Sequence, residues 1–139
     1  MEIRQAQAAD ADAVFAMLER FAMSYEPDRD AFALSFAAMA ESQDVALLVA
    51  EDSGTLAGYV MAIRFGTLFA NGSVAQIEEL FVEEAKRGAG VGRALVAAVV
   101  EWARSGGAVE VTVPTRRAGD YYERLGFERT AEYYHVRLS

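Results

Sequence analysis

The chain has 139 residues, 53% of them hydrophobic, no cysteine, and a net charge of −8 with a pI near 4.6. This length and apolar content suit one folded domain over residues 1–139 and exclude a disordered chain. The missing thiols exclude disulfides, thiolate metal sites and an acyl-cysteine intermediate, and the acidic balance opposes nucleic acid, whose affinity rests on Lys and Arg against phosphate.

No apolar run approaches the roughly 20 residues of a membrane span, and Met1-Glu2-Ile3-Arg4 lacks a signal peptide's apolar stretch. A cytoplasmic protein with no membrane partner is expected. With a single histidine, a metal site would have to be built from carboxylates, and none is expected.

Residues 2–7 alternate weakly around Ile3 and read as an edge strand. Asp10 stands where an N-cap would start a helix running to about Tyr25, with Val14, Met17, Leu18, Phe21 and Tyr25 on one face. Pro27 interrupts it, and a second helix over about Arg29 to Glu41 carries Phe32, Phe36 and Met39 in one stripe.

From Val45 the period changes. Val45–Ala50 is a continuous apolar run, Asp52-Ser53-Gly54 reads as a turn, and Leu56–Phe65 reads as the next strand. Asn71-Gly72 is the strongest hairpin signal in the chain and leads into a strand at about 74–82, so three successive antiparallel strands are predicted.

Arg87-Gly88-Ala89-Gly90-Val91-Gly92 follows that strand. Val91, Ala94, Leu95, Ala98, Val99 and Trp102 then repeat with the spacing of one helical face until Gly106-Gly107. A glycine loop opening a helix presents unpaired N–H groups and the positive end of the helix dipole to an anion. Taken alone, these six residues fit a plain surface turn as well as a phosphate loop. A P-loop would need Gly-Lys-Ser/Thr, and Arg93-Ala94 follow Gly92; the dinucleotide fingerprint lacks its third glycine. Lys86, Arg87 and Arg93 gather positive charge at the loop.

Val109, Val111 and Val113 alternate with polar residues up to Pro114, a strand whose helical connection implies parallel pairing with the strand at 74–82. A short helix around Arg117–Leu125 and a last strand from about Thr130 to Leu138 complete the order β-α-α-β-β-β-α-β-α-β. That order makes an α/β fold with a mixed sheet and helices on its faces.

Arg87, Gly90 and Gly92 match the pattern Gln/Arg-x-x-Gly-x-Gly/Ala. Ile77–Val82 lies before them, and Tyr121-Tyr122-Glu123-Arg124-Leu125-Gly126-Phe127 after them. In these three segments the chain resembles the GNAT N-acetyltransferase superfamily, closely over residues 74–139 and by architecture in the first half. The resemblance implies a direct, acetyl-CoA dependent transfer to an amine, with the fourth and fifth strands splayed to admit the donor's pantetheine arm. It implies that main-chain groups of Leu80, Phe81 and Val82 pair with that arm. It further implies that the backbone of Gly88, Ala89, Gly90, Val91, Gly92 and Arg93, with the Arg87 and Arg93 side chains, holds the pyrophosphate.

Tyr122 matches the tyrosine that gives a proton to the departing thiolate, a task suited to a phenol with a pKa near 10. Glu78 matches an acidic position that acts as general base in some relatives, and Glu79 or a water are the alternatives. Strand alternation sends Glu78 and Glu79 to opposite faces, so only one of them meets the acceptor. Thr115 stands where many relatives carry an asparagine.

The expected acceptor is a small molecule or peptide amine, cationic by the acidic surface, contacting Phe21, Tyr25, Glu26 and the hairpin at 66–73. A second copy of the chain, as a homodimer, is a further partner to test. The competing reading is a non-catalytic acyl-CoA-binding module. His135 and Trp102 read as structural.

Overall fold

The change of hydrophobic period at Val45 separates the helical pair from the sheet in the computed structural model of the chain, which describes residues 1–21 and 25–138. Strand β1 (Glu2–Gln5) leads through a 3-10 turn (Ala8–Asp10) into helix α1 (Ala11–Phe21), and Pro27 precedes α2 (Arg29–Glu41). Strands β2 (Val45–Asp52), β3 (Thr55–Gly66) and β4 (Ser73–Val82) follow, then α3 (Val91–Ser105), β5 (Val111–Thr112) and α4 (Gly119–Arg124). The sheet order is β1-β2-β3-β4-β5, antiparallel except for the parallel β4–β5 pair.

The sheet has a core on each face. Helix α3 covers one, where Val91, Leu95, Val96 and Val99 bury against Ala46, Val60, Ala62 and Ile77. Helices α1 and α2 cover the other, where Val14, Met17 and Phe36 meet Leu47, Val49, Tyr59, Met61 and Phe81. Burying each of the larger apolar side chains contributes about 1.5–3 kcal/mol.

Two expectations about α1 change. Asp10 does not cap that helix: its carboxylate turns back to accept hydrogen bonds from the Gln7 N–H at 2.7 Å and from Arg4 at 2.8 and 3.0 Å, closing the 3-10 turn instead. The spacing predicts a helix to about Tyr25. Residues 22–24 lie outside the described residues, and Tyr25 itself is not helical. By contrast α2 has the expected bounds, with the Asp28 carboxylate accepting from the Ala31 N–H at 2.8 Å.

Asn71, in the left-handed region at φ 62°, closes the β3–β4 hairpin as its sequence predicts. The ladder keeps one register from Gly66↔Ser73 to Ala62↔Ile77, and then Met61 faces Glu79, leaving Glu78 as the extra residue of a β-bulge.

The last predicted strand does not form. Residues 128–138 have no regular structure, and Tyr133, Tyr134, Val136 and Leu138 are exposed. The strand before it is also shorter than its Val109–Val113 pattern, because only Val111 and Thr112 stay in the ladder with β4. A strand needs a partner edge and a face to bury, and a two-residue edge supplies neither.

Candidate active site

Strand β4 pairs with β3 along its whole length, but with β5 only at Ala75↔Val111 and Gln76↔Thr112. From Ile77 to Val82 its outer edge therefore has no strand neighbour among the described residues. The bulge at Glu78 lies where this opening begins, as expected of a feature that bends and twists its strand. Gly58 on β3 sits against the end of β4 so closely that a Cβ there would lie 2.5 Å from the Phe81 carbonyl oxygen. Leu80 and Val82 pack toward the α3 core and Phe81 toward the α1–α2 core; the Phe81 carbonyl oxygen faces Gly58 of β3, and the main chain of Leu80 and Val82 faces the open edge.

Past Val82 the chain makes a short 3-10 turn (Glu84–Lys86) and enters α3 through Gly88 and Gly90, at φ 83° and 86°. These are conformations that residues with a Cβ adopt at a cost, so glycine fits both positions. The first hydrogen bond of the helix runs from the Ala94 N–H to the Gly90 oxygen at 3.0 Å. The N–H groups of Val91, Gly92 and Arg93 thus precede it and point out of the helix start. Val91 is buried, so only its main chain is available.

Three cations surround this turn. Lys86 is tied to Asp52 at 3.0 Å, and the Arg87 Nε donates to the Val82 oxygen at 3.1 Å, bracing the loop on the strand end. Arg93 is exposed and has no hydrogen-bonded or ion-paired partner among the described residues. Tyr121 lies over the helix start, where a Cβ on Gly92 would run into its hydroxyl.

Tyr122 follows on α4. Its ring is buried against Ile77, Leu95 and Val96 in the α3-side core and meets Tyr121 and Phe127 edge-on at 5.2 and 5.6 Å. Burial pushes its phenol up to about 12. The hydroxyl has no hydrogen-bond partner among the described residues and is not shut off from solvent. Thr115, at the asparagine position, accepts the Ala118 N–H at 3.0 Å and so shapes the entry to α4.

The bulge alters the two glutamates. Glu79 faces Met61 on the α1–α2 side, where its Oε1 accepts the Tyr59 hydroxyl hydrogen at 2.7 Å. Glu78 is exposed and accepts from the Gln76 Nε2 at 2.6 Å; Gln76 pairs with Ile63, which packs on that same side. The two carboxylates therefore share a face, and the expectation of opposite faces fails because an extra residue breaks the alternation. Tyr59 was not singled out in the sequence. Its one signal is a phenol in the apolar series Tyr59, Met61, Ile63.

Phe81 anchors the same face. Its ring stacks on Tyr59 at 6.5 Å and meets Phe21 edge-on at 6.4 Å, and Arg20 lies over it at 5.7 Å while pairing with Glu83. Of the other acceptor contacts expected from the sequence, Tyr25 and Glu26 are exposed, as are Leu68 and Phe69 in the hairpin loop. No group of three metal-capable side chains occurs among the described residues, nor any helix long and apolar enough to cross a membrane.

The family model of the acetyltransferase (GNAT) family matches residues 11–127, spanning both helices, the splayed edge, the loop and α4. The chain belongs to the GNAT family of acetyltransferases. This GNAT chain is 32% identical over 139 residues to a probable glucosamine 6-phosphate N-acetyltransferase 2 of Oryza sativa subsp. japonica, covering 91% of this chain and 81% of that one. It is 30% identical over 145 residues to the aminoglycoside N(6')-acetyltransferase type 1 of Stenotrophomonas maltophilia, covering 98% and 92%. Its fold matches an aminoglycoside N-acetyltransferase AAC(6')-Iy solved in complex with CoA at a TM-score of 0.86, with 22% identity, over 98% of this chain and 93% of that one.

The protein is thus a GNAT N-acetyltransferase with acetyl-CoA as donor. Its own residues fit that donor: a strand edge whose outward main-chain groups at Leu80 and Val82 have no strand neighbour, the Val82 oxygen being held by the Arg87 Nε, and a 15-residue helix whose open glycine start and nearby arginines suit a pyrophosphate.

Proposed function

We propose that residues 1–139 form one N-acetyltransferase domain, cytoplasmic in this reading, that transfers an acetyl group directly to the primary amine of a small cationic molecule or a lysine side chain. The observation that supports this is the stretch of β4 from Ile77 to Val82 with no strand on its outer edge among the described residues, which carries Glu78 and Glu79 and whose Ile77, Leu80 and Val82 share a core cluster with Tyr122.

Acetyl-CoA supplies the acetyl group as a thioester. The outward main chain of Leu80 and Val82, on either side of Phe81, pairs with the donor's amides, and a main-chain N–H there polarises the thioester carbonyl. Gly88, Gly90, Val91, Gly92 and Arg93 offer backbone N–H groups to the pyrophosphate around Ala89, whose own N–H donates to the Lys86 oxygen at 3.4 Å, with charge from Arg87 and Arg93. In the transfer, the amine nitrogen bonds to the acyl carbon and the carbon–sulfur bond breaks. A carboxylate takes the amine proton and Tyr122 gives its own to the sulfur.

Between the two carboxylates, the geometry favours Glu79 as base, because the Tyr59 hydrogen bond fixes its position on the inner face. Glu78, exposed and held by Gln76, is better placed to attract a cation at the rim. Charge distribution supports the cationic acceptor: residues 1–84 carry 15 acidic and 4 basic side chains, and residues 85–139 carry 6 and 9.

Replacing Tyr122 by Phe tests the assignment. A fall in kcat of about a hundredfold or more with unchanged acetyl-CoA affinity supports the general acid. An unchanged kcat removes Tyr122 from the chemistry, and a wild type that binds acetyl-CoA without acetylating any amine is the non-catalytic module. A homodimer, the remaining partner in this reading, rests on the exposed Tyr133, Tyr134, Val136 and Leu138. Sedimentation tests it, and a single 15.1 kDa species removes it.

A further inference from the structure

Between α1, α2 and the sheet lies a cavity of about 270 Å³ with Glu79 and Tyr59 in its wall and Asp28 at the start of α2. Most of its lining is apolar: Leu18, Phe32, Phe36, Met39, Leu47 and Met61 supply the larger side chains. The polar side chains lining it are Asp28, Ser35, Tyr59 and Glu79, and no Lys, Arg or His lines it among the described residues.

We infer that this cavity is the acceptor subsite and that its substrate is a small monoamine on an apolar, preferably aromatic, body. The inference rests on the acetyltransferase reading above and narrows its acceptor. Three observations on the lining carry it.

First, the two charged groups are both carboxylates, which attract an ammonium and offer nothing to a phosphate. The Glu79 Oε1 already accepts from Tyr59 and one Asp28 oxygen caps α2, so each carboxylate keeps one oxygen for an incoming N–H.

Second, the remaining surface suits a ring or a branched aliphatic group. An amino sugar placed there would set several hydroxyls against Phe, Met and Leu without partners, and each buried, unpaired polar group costs about 1–3 kcal/mol. A polyamine would bury its further charges in the same surroundings. At about 270 Å³ the cavity lies just below the usual range of ligand pockets and opens to solvent on one side, so it seats one ring-sized group and leaves the further rings of a multi-ring amino sugar outside its apolar walls.

Third, the cavity adjoins the donor edge. Glu79 belongs to the stretch of β4 whose outer edge is open, and it is followed by the Leu80–Val82 main chain that would hold the donor. An amine at Glu79 lies next to that edge, with its apolar body extending under α2.

The experiment follows free-thiol release from acetyl-CoA with 2-phenylethylamine, spermidine, glucosamine 6-phosphate and neamine, alongside calorimetric binding of acetyl-CoA alone. The expected result is a kcat/KM for 2-phenylethylamine at least about tenfold above each of the others. Ser35 is exposed at the mouth, so Ser35→Trp should obstruct entry without entering the core. It should raise the 2-phenylethylamine KM at least about tenfold and leave acetyl-CoA binding unchanged. Glu79→Gln, which keeps the shape, should lower kcat and raise the KM together, and stands in if Ser35→Trp fails to fold.

Preference for the polyamine or either amino sugar, or no turnover of 2-phenylethylamine while acetyl-CoA still binds, overturns the inference and leaves the donor assignment standing. No acetyl-CoA binding at all overturns the underlying reading instead.

Discussion

Tyr59 donates its phenolic hydrogen to Glu79 at 2.7 Å across the β3–β4 ladder, from a ring almost wholly buried against Phe81. Burial, first, and the Glu79 charge, second, both push the Tyr59 phenol well above the ordinary tyrosine range, so it remains a donor throughout the working pH range. The contact exists because the bulge at Glu78 turns Glu79 onto the face that Tyr59 occupies.

Tyr59→Phe should therefore lower kcat/KM for the amine without changing acetyl-CoA affinity. A hydrogen bond to a charged group is worth about 1.5–3 kcal/mol, so a loss of roughly tenfold or more is expected. Steady-state kinetics with thermal unfolding as a folding control measures it. Equal loss of acetyl-CoA binding would mean that the pair merely holds β4 in shape.

Gly58→Ala should damage the donor site from behind. The added methyl meets the Phe81 carbonyl oxygen and the Val82 Cα, both backbone, and β3 and β4 must part at the strand end. Overpacking of this kind costs about 1–3 kcal/mol, and here it should appear as a lower Tm together with a weaker acetyl-CoA Kd. A lower Tm with an unchanged Kd would separate the strand end from donor binding.

The pH profile reports on Tyr122. Burial pushes its phenol up to about 12, so it keeps its proton while the acceptor amine becomes neutral. The rate should rise with pH and hold beyond the ordinary tyrosine value of about 10. A fall centred near about 10 that disappears in Tyr122→Phe would contradict the buried phenol.

Asp10 gives the fold its own pH dependence. The Arg4 hydrogen bonds, as the largest cause, hold its carboxyl below the usual aspartate range, with the Gln7 N–H assisting. A depressed folded-state pKa contributes stability that is present above the unfolded value of about 3.9 and is lost as pH falls through the folded value. Asp10→Asn should thus lower the Tm at neutral pH and lose that penalty at pH below the folded value. A pH-independent penalty would rule the ion pair out as its source.

Much of this was readable from spacing. Helix α2, the Asn71-Gly72 hairpin and the loop from Arg87 to Gly92 are governed by contacts close in sequence, through caps, turns and glycine. Three features depend on partners distant in sequence. The bulge at Glu78 reflects how β4 must leave β5, and alternation counted from the hairpin misassigns Glu79. The Asp10 carboxylate chose Arg4 of the neighbouring strand over the helix it precedes. The 130–138 segment has a strand's composition, but β5 leaves it a two-residue edge, and composition alone does not make a ladder.

Donor binding is assigned to the Leu80–Val82 edge and the loop from Gly88 to Arg93. Titration of the isotope-labelled chain with acetyl-CoA, following backbone amide resonances, tests it most directly. Saturable shifts concentrated at Leu80, Phe81, Val82, Gly88, Gly90, Gly92 and Arg93, complete at one donor per chain, are the expected result. Shifts confined to other surfaces, or none that saturate, would contradict it.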